Sequence, residues 1–214
     1  MLELTYRCNL NCAFCYLHAA GRLNGKCREL GTGEVLKIAG RFKAGERFYL
    51  SGGEPLLRGD LFEIMAGIRK SGCGFGLNTN GTLLNAAKAG KLAALKPDYV
   101  VFSLHGSEPV HDRLTGKEGA WRALTENMRR FASKALFPTE VIVNCVVHRE
   151  NAGELLEVYR AACRAGAHRV VFEHLQFLRH GEAAGVPDRL KEGGIITPQP
   201  ERYGADAALI ARQF

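Results

Sequence analysis

Apolar and polar positions along the chain alternate between two periods. Short runs rich in β-branched and aromatic residues predict strands at Leu2 to Tyr6, Arg47 to Leu50, Gly74 to Asn78, Tyr99 to Leu104, Val141 to Val147 and Arg169 to His174. Between them, apolar residues recur at helical spacing over Gly33 to Phe42, Gly59 to Ser71, Asn85 to Leu95, Ala120 to Ala132 and Ala152 to Ala165. Several of these stretches are bounded by Gly or Pro, which stop a helix. A βα repeat of this kind calls for a parallel sheet with right-handed crossovers, either doubly wound or curved into a barrel.

The residues at the strand ends decide between the two. In β/α barrels the chemistry gathers at the C-terminal ends of the strands, whereas a doubly wound sheet concentrates it near one switch point. Here the strand ends carry, in order, a cysteine cluster, Ser51-Gly-Gly-Glu-Pro55, Asn78-Thr-Asn-Gly81, Ser103-Leu-His-Gly106, Asn144 and Glu173-His174-Leu-Gln176. All of them are polar or reactive. The expectation is an α/β fold, a partial (β/α)6 barrel: a curved, six-stranded parallel sheet with outer helices, open on one side. The barrel core is expected to span residues 1–178. Residues 179–214, broken by Gly181, Gly185, Pro187, Gly193, Gly194, Pro198 and Pro200, read as an irregular cover or linker ending in a short helical pattern. The abrupt end suggests a fragment of a longer protein.

Composition narrows the class. With 46% hydrophobic and 24% charged residues in 214, the chain can bury a sizeable core, so neither disorder nor a disulfide-stapled miniprotein fits. No apolar run approaches a membrane span, and the first residues lack the basic and apolar regions of a signal peptide, so a cytoplasmic protein is expected. The net charge of +7 is compatible with an anionic ligand. Arg122, Arg129 and Arg130, however, lie at the spacing of a solvated helix face, and no basic block is interleaved with stacking aromatics, so a nucleic-acid partner is not expected.

Three of the seven cysteines sit at 8, 12 and 15, immediately after the first strand. An odd number without an export signal points to reduced thiols and metal ligation. Three thiolates in one tight loop suit iron–sulfur or zinc. A structural zinc site would want a fourth ligand, for which His18 and Cys27 are nearest, whereas a four-iron four-sulfur cluster held by three thiolates keeps one iron open. Cys145 and Cys163 read as small apolar residues.

The Cys8-Asn-Leu-Asn-Cys12-Ala-Phe-Cys15 loop, with an aromatic residue before its third cysteine, resembles the signature of the radical S-adenosylmethionine superfamily. Gly52-Gly-Glu-Pro55 resembles that superfamily's methionine-binding motif and falls after the second strand, where the fold requires it. The resemblance runs from residue 2 to about 178. Ser103-Leu-His-Gly106, Val110-His-Asp-Arg113 and Gly116-Lys-Glu-Gly119 are similar to the subset of peptide-modifying enzymes and anaerobic sulfatase maturases. That subset often has Asp where this chain has His105, and an Arg where it has Thr115.

The resemblance implies an enzyme in which a four-iron four-sulfur cluster on Cys8, Cys12 and Cys15 reductively cleaves S-adenosylmethionine, giving a 5'-deoxyadenosyl radical that abstracts hydrogen from substrate. It implies cofactor contacts from Ser51, Gly52 and Gly53, with Glu54 accepting from the ammonium. Phe14 either meets the adenine or packs the loop. Ser103 and Asn144 would reach the ribose and carboxylate, and Arg113 is the nearest basic partner for that carboxylate. Asn78 is expected to stabilise the Asn80-Gly81 turn, with a place beside the cofactor as the alternative, and His111-Asp112 to anchor a loop. His105, Glu173, His174 and Gln176 are candidates for the substrate side.

Expected partners are a peptide or small-molecule substrate and a reductant such as flavodoxin or ferredoxin. Two other readings stand beside this one: a cofactor-biosynthesis enzyme resembling the molybdopterin-pathway cyclase, and a non-enzymatic iron–sulfur or zinc protein.

Overall fold

A computed structural model describes residues 1–19, 22–25, 27–135 and 138–174. Its strands are β1 (Leu2–Thr5), β2 (Arg47–Gly52), β3 (Gly74–Thr79), β4 (Tyr99–Ser103), β5 (Glu140–Val147) and β6 (Arg169–His174). They form one six-stranded sheet in the order of the sequence, every neighbouring pair parallel. The helices are α1 (Tyr16–Ala19), α2 (Thr32–Ala39), α3 (Leu61–Lys70), α4 (Ala86–Ala94), α5 (Glu108–Thr115), α6 (Ala120–Ala132) and α7 (Leu155–Arg164), with 3-10 turns at Pro55–Leu57 and Ala152–Glu154. The curved parallel sheet with helices on its outer face is the architecture the alternation predicts. The linker expected over 179–214, and Gln176, lie outside the described residues.

Strand alternation divides the sheet into two surfaces. Leu50, Phe75, Leu77, Val100, Phe102, Val141, Val143 and Cys145 point to the helices and are wholly buried against residues such as Ile64, Met65, Leu92, Met128, Phe131 and Val158. Intervening residues, among them Tyr49, Ser51, Asn78, Ser103 and Asn144, face the concave side. Apolar burial on the helical side carries the stability. The concave side is left free to carry polar groups.

Three differences from expectation bear on the site. Strand β2 runs on through Gly52, so Ser51 and Gly52 belong to the strand itself rather than to the turn after it. Helix α5 occupies a stretch that reads as loop; its Pro109 near the start and Gly116 at its end, in the left-handed conformation at φ 67°, are ordinary helix punctuation, but the helix buries only His111, Leu114 and Thr115 and so shows little apolar period. Cys163, expected to pack as a small apolar residue, is exposed on α7, while Cys145 is buried as expected.

Candidate cofactor site

The cysteine loop leaves β1 at the carboxyl end of the sheet and is fastened on three sides. The first fastening is the main chain of the Gly-Gly-Glu segment: Gly53 N donates to Thr5 O at 2.7 Å and Glu54 N to Arg7 O at 2.8 Å. Neither glycine could carry a side chain there. A Cβ on Gly52, whose φ is +130°, would sit 2.3 Å from Thr5 O, and one on Gly53 would sit 2.2 Å from Arg7 O. The glycines thus bring two backbones together beside Cys8, whereas the motif by itself suggests close approach of a ligand.

The second fastening is the β3–α4 turn. Asn80 Nδ2 donates to Asn9 Oδ1 at 3.0 Å and approaches Cys8 Sγ at 3.9 Å, while its Oδ1 accepts from Thr82 N and Thr82 Oγ1. The third is the C-terminus of α5, whose Thr115 and Leu114 carbonyls accept from Asn11 N at 2.9 Å and Ala13 N at 3.0 Å. Carbonyls of a last helical turn have no partner within the helix, and here the loop supplies them.

Glu54 is fully buried and its carboxylate is taken up by the protein. Leu56 N and Thr79 Oγ1 donate to Oε1 at 2.9 and 2.8 Å, and Asn80 N to Oε2 at 2.7 Å. Burial pushes this carboxyl up from its ordinary range while the three donors pull it down. Glu54 is therefore not the exposed acceptor expected for an ammonium group. It buttresses the turn between β2 and β3, because a buried carboxylate is tolerable only when its oxygens are hydrogen-bonded.

Three further expectations change. Asn80, not Asn78, organises the Asn80-Gly81 turn; Asn78 lies on the concave face, where Nδ2 reaches Ser51 Oγ at 3.4 Å. Arg113 is in a surface ion pair with Glu150. His105 is 3% exposed and packs beneath the cysteine loop instead of facing a substrate opening. His111 is buried on α5, and Asp112 accepts from Gly119 N at 2.6 Å and Trp121 N at 2.8 Å, so the pair does anchor local structure, the Asp by capping the start of α6. On the concave face Asn144 Nδ2 donates to Glu173 Oε2 at 2.9 Å; His174 is exposed at the end of β6.

The donor set tests whether a cluster and a polar cofactor fit. Cys8, Cys12 and Cys15 are free, partly buried thiols. Burial, with Cys15 and Cys8 beside it, pushes the Cys12 thiol up to about 12, and burial likewise raises Cys8. The neighbouring thiolates disfavour ionisation of Cys12 and Cys8, so holding these two as thiolates needs a positive centre beside them. Leu10 N donates to Cys8 Sγ at 3.4 Å, a contact suited to a ligating thiolate.

Among the described residues no three His, Cys, Asp or Glu side chains converge as on a single ion, and Cys27 and His18, the candidate fourth ligands, are exposed. A four-iron cluster makes a different demand, since each thiolate takes its own iron. Nearby, Asn78 Oδ1 and Asn144 Oδ1 are buried with no hydrogen-bond partner. Buried acceptors of this kind are normally satisfied, so two of them on the concave face suit a ligand that brings donors. Cysteines, main-chain cradle and orphaned acceptors together fit a three-thiolate cluster beside a polar cofactor.

Comparison with known proteins bears on the same region. The family described as the radical SAM superfamily matches residues 2–162. A pre-heme d1 synthase of Dinoroseobacter shibae is 31% identical over 180 residues, 84% of this chain and 44% of that protein. A PqqA peptide cyclase of Ruegeria pomeroyi is 32% identical over 210 residues, 97% of this chain and 54% of that protein. The solved structure of native anSMEcpe with bound AdoMet and Kp18Cys peptide shares the fold at a TM-score of 0.69 and 20% identity, covering 99% of this chain and 57% of that one. The chain thus spans about half the length of the curated relatives it matches. Among the described residues, no helix is long and apolar enough to cross a membrane.

Proposed function

The chain belongs to the radical SAM superfamily, and on that premise we propose that it is the core of an enzyme that uses a four-iron four-sulfur cluster and S-adenosylmethionine to oxidise or rearrange an organic substrate. When bound, cluster and cofactor together supply a 5'-deoxyadenosyl radical able to take hydrogen from an unactivated carbon. The chain's own residues bind, orient and shield. Cys8, Cys12 and Cys15 would hold the cluster. Ser51, Asn78, Ser103 and Asn144, polar groups at the ends of successive strands, hydrogen-bond the cofactor along the concave face. The backbone of Gly52 and Gly53 lines the methionine end, with Glu54 fixing its turn from beneath. Arg113 would have to leave Glu150 to serve the cofactor carboxylate, so that contact falls to Ser103 and Asn144. Phe14 borders the adenine side.

The observation that carries this reading is the placement of a three-thiol loop at the carboxyl edge of a parallel sheet whose concave face holds two unpartnered buried acceptors. A peptide is the favoured substrate, supported by the PqqA peptide cyclase and by the peptide-bound structural neighbour. The pre-heme d1 synthase supports a second reading, a small-molecule cofactor precursor. A low-potential carrier such as flavodoxin or ferredoxin would supply the electron. Three reduced thiols suit the cytoplasm.

The test is anaerobic. Protein reconstituted with iron and sulfide is reduced with dithionite, and its electron paramagnetic resonance is recorded with and without S-adenosylmethionine while 5'-deoxyadenosine is quantified. A cluster signal that shifts with the cofactor, together with 5'-deoxyadenosine, both lost in Cys12→Ala, is expected. A cluster indifferent to the cofactor, with no cleavage, would sink the proposal and favour a metal scaffold.

A further inference from the structure

Phe14 lies between two of the cysteines, and its ring rests on histidines that follow two different strands, His105 after β4 and His148 after β5. It meets His105 edge-on, with ring centroids 4.7 Å apart at 77°, and His148 at 5.1 Å. Ala13, the residue before it, is tied to Leu114 O, and Cys15 N, just after it, donates to Cys12 O at 3.1 Å. A displacement of the ring therefore moves the backbone between Cys12 and Cys15.

The seat beneath the ring is fixed by hydrogen bonds to the main chain around it. His105 N donates to His111 Nδ1 at 3.2 Å, Val146 N donates to His105 Nδ1 at 3.3 Å, and Asn151 Nδ2 donates to His105 O at 3.0 Å. The same Asn151 amide donates to Val146 O at 2.8 Å, and its Oδ1 accepts from His148 N at 2.8 Å. Asn151 is wholly buried. One side chain thus ties the end of β4, the end of β5 and the His148 loop into a single body. An apolar residue at 105 could pack Phe14 equally well, but it could not also accept from Val146 N. The use of both a ring contact and a ring nitrogen distinguishes a built seat from generic filling.

We propose that His105 and Asn151 are positioning residues that act through Phe14 to set the geometry of the Cys12–Cys15 segment and of the cofactor bound beside it. This rests on the radical SAM reading above. It makes the β4 and β5 ends, which carry no cluster ligand, part of the determinants of cofactor affinity.

A double-mutant cycle tests it, with Phe14→Leu, His105→Asn and the double variant reconstituted anaerobically. His105→Asn keeps a short acceptor for Val146 N and removes the ring. The readouts are iron and sulfide content, thermal midpoint, and binding of S-adenosylmethionine to the cluster-loaded protein by equilibrium dialysis without turnover. Each single variant is expected to keep its cluster, to unfold at a somewhat lower midpoint because a side chain is trimmed from a buried seat, and to bind the cofactor about fivefold more weakly, the size of one aromatic pair contact. The double variant should be no worse than the weaker single one. His105→Phe, which restores a ring but offers no acceptor to Val146 N, should recover only part of the affinity, and full recovery would show that generic filling suffices.

Additive losses, or single variants that bind like the parent, would overturn the seat. So would loss of iron in His105→Asn with full loading in Phe14→Leu, because a seat acting through the ring needs both to behave alike. A parent protein whose cluster signal ignores S-adenosylmethionine would instead overturn the cofactor reading, and the seat with it.

Discussion

Two of the supports around the cysteine loop are built on opposite principles. On the β1–β2 side, backbone meets backbone: Gly53 N to Thr5 O and Glu54 N to Arg7 O, with no room for a Cβ at Gly52 or Gly53. On the β4–β5 side the loop's own ties to α5 are also main-chain, Asn11 N to Thr115 O and Ala13 N to Leu114 O, but the seat under Phe14 is held through side chains, those of His105, His111 and Asn151. The first side depends on atoms being absent, the second on particular atoms being present. The two should therefore fail differently: a small addition breaks the first, and a small deletion breaks the second.

The largest effect is expected at Gly53→Ala. The new methyl would press on the Arg7 carbonyl, a backbone atom that cannot swing away, and relief requires parting β2 from the segment before Cys8. A loss on the order of 4 kcal/mol in urea unfolding is expected, with iron incorporation falling together with it. Near-parent stability and full iron would show that the backbone side yields, and the contrast between the two sides would collapse.

Asn151→Ala comes next. It leaves His105 O, Val146 O and His148 N without their present partner in a buried setting, at a cost of about 3 kcal/mol. Unlike Gly53→Ala, it should leave the Gly53 N to Thr5 O hydrogen bond intact, which amide hydrogen exchange at Gly53 would report. Exchange at Gly53 that accelerates as much as at Val146 would mean that the two sides unfold as one unit.

A third, smaller effect belongs to the β4–β5 side alone. Burial lowers the His111 imidazole from 6.5 to about 4, against the pull of Asp112 next to it, and burial, with His111 and His148 around it, also holds His105, stacked on His111 at 5.8 Å, well below its ordinary value. In the unfolded chain these groups bind protons below about 6.5. Between that value and 4 the unfolded state holds more protons, so stability is full above the window and is lost as pH falls through it. For His111 the loss amounts to at most about 3 kcal/mol, less where residual water softens its burial. Glu54, raised by burial, works in the opposite sense above its unfolded value. Comparison with His111→Asn, whose amide oxygen can still accept from His105 N, isolates the histidine contribution: its stability should be flatter from pH 6.5 to 4. Parallel curves for the two proteins would refute the assignment.

The same division explains what the sequence discloses. Strands and helices are legible because burial on the helical face imposes period, and the cysteine spacing and paired glycines are legible because a backbone-built site needs fixed residue types at fixed separations. Glu54 reads wrongly as a ligand acceptor because its partners, Thr79 and Asn80, lie on another strand end, and nothing local says whether a carboxylate faces ligand or protein. The neighbours Asn80 and Gly81 draw Asn78 into the turn, although as the next-to-last residue of β3 it falls on the concave face by simple alternation. Helix α5 escapes because it buries a polar His111 and docks its C-terminal carbonyls on the cysteine loop, neither of which leaves an apolar stripe. The seat under Phe14 joins residues 14, 105, 148 and 151, and no local pattern links positions so far apart.

The smallest effect sharpens the comparison by removing an ambiguity from its largest. Gly90 lies within α4, on the crossover between β3 and β4, and a Cβ built there meets nothing within 4 Å. Glycine inside a helix costs about 0.5–1 kcal/mol relative to alanine through lost backbone entropy. Gly90→Ala should therefore stabilise the protein by roughly that amount and leave iron loading unchanged. Gly53→Ala makes the same chemical change, one methyl replacing one hydrogen, yet is expected to act with the opposite sign and several times the size. If both variants shifted the urea midpoint in the same direction, the cost at Gly53 could not be assigned to its contact with Arg7 O, and the account of the β1–β2 side as a backbone-built cradle would have to be abandoned.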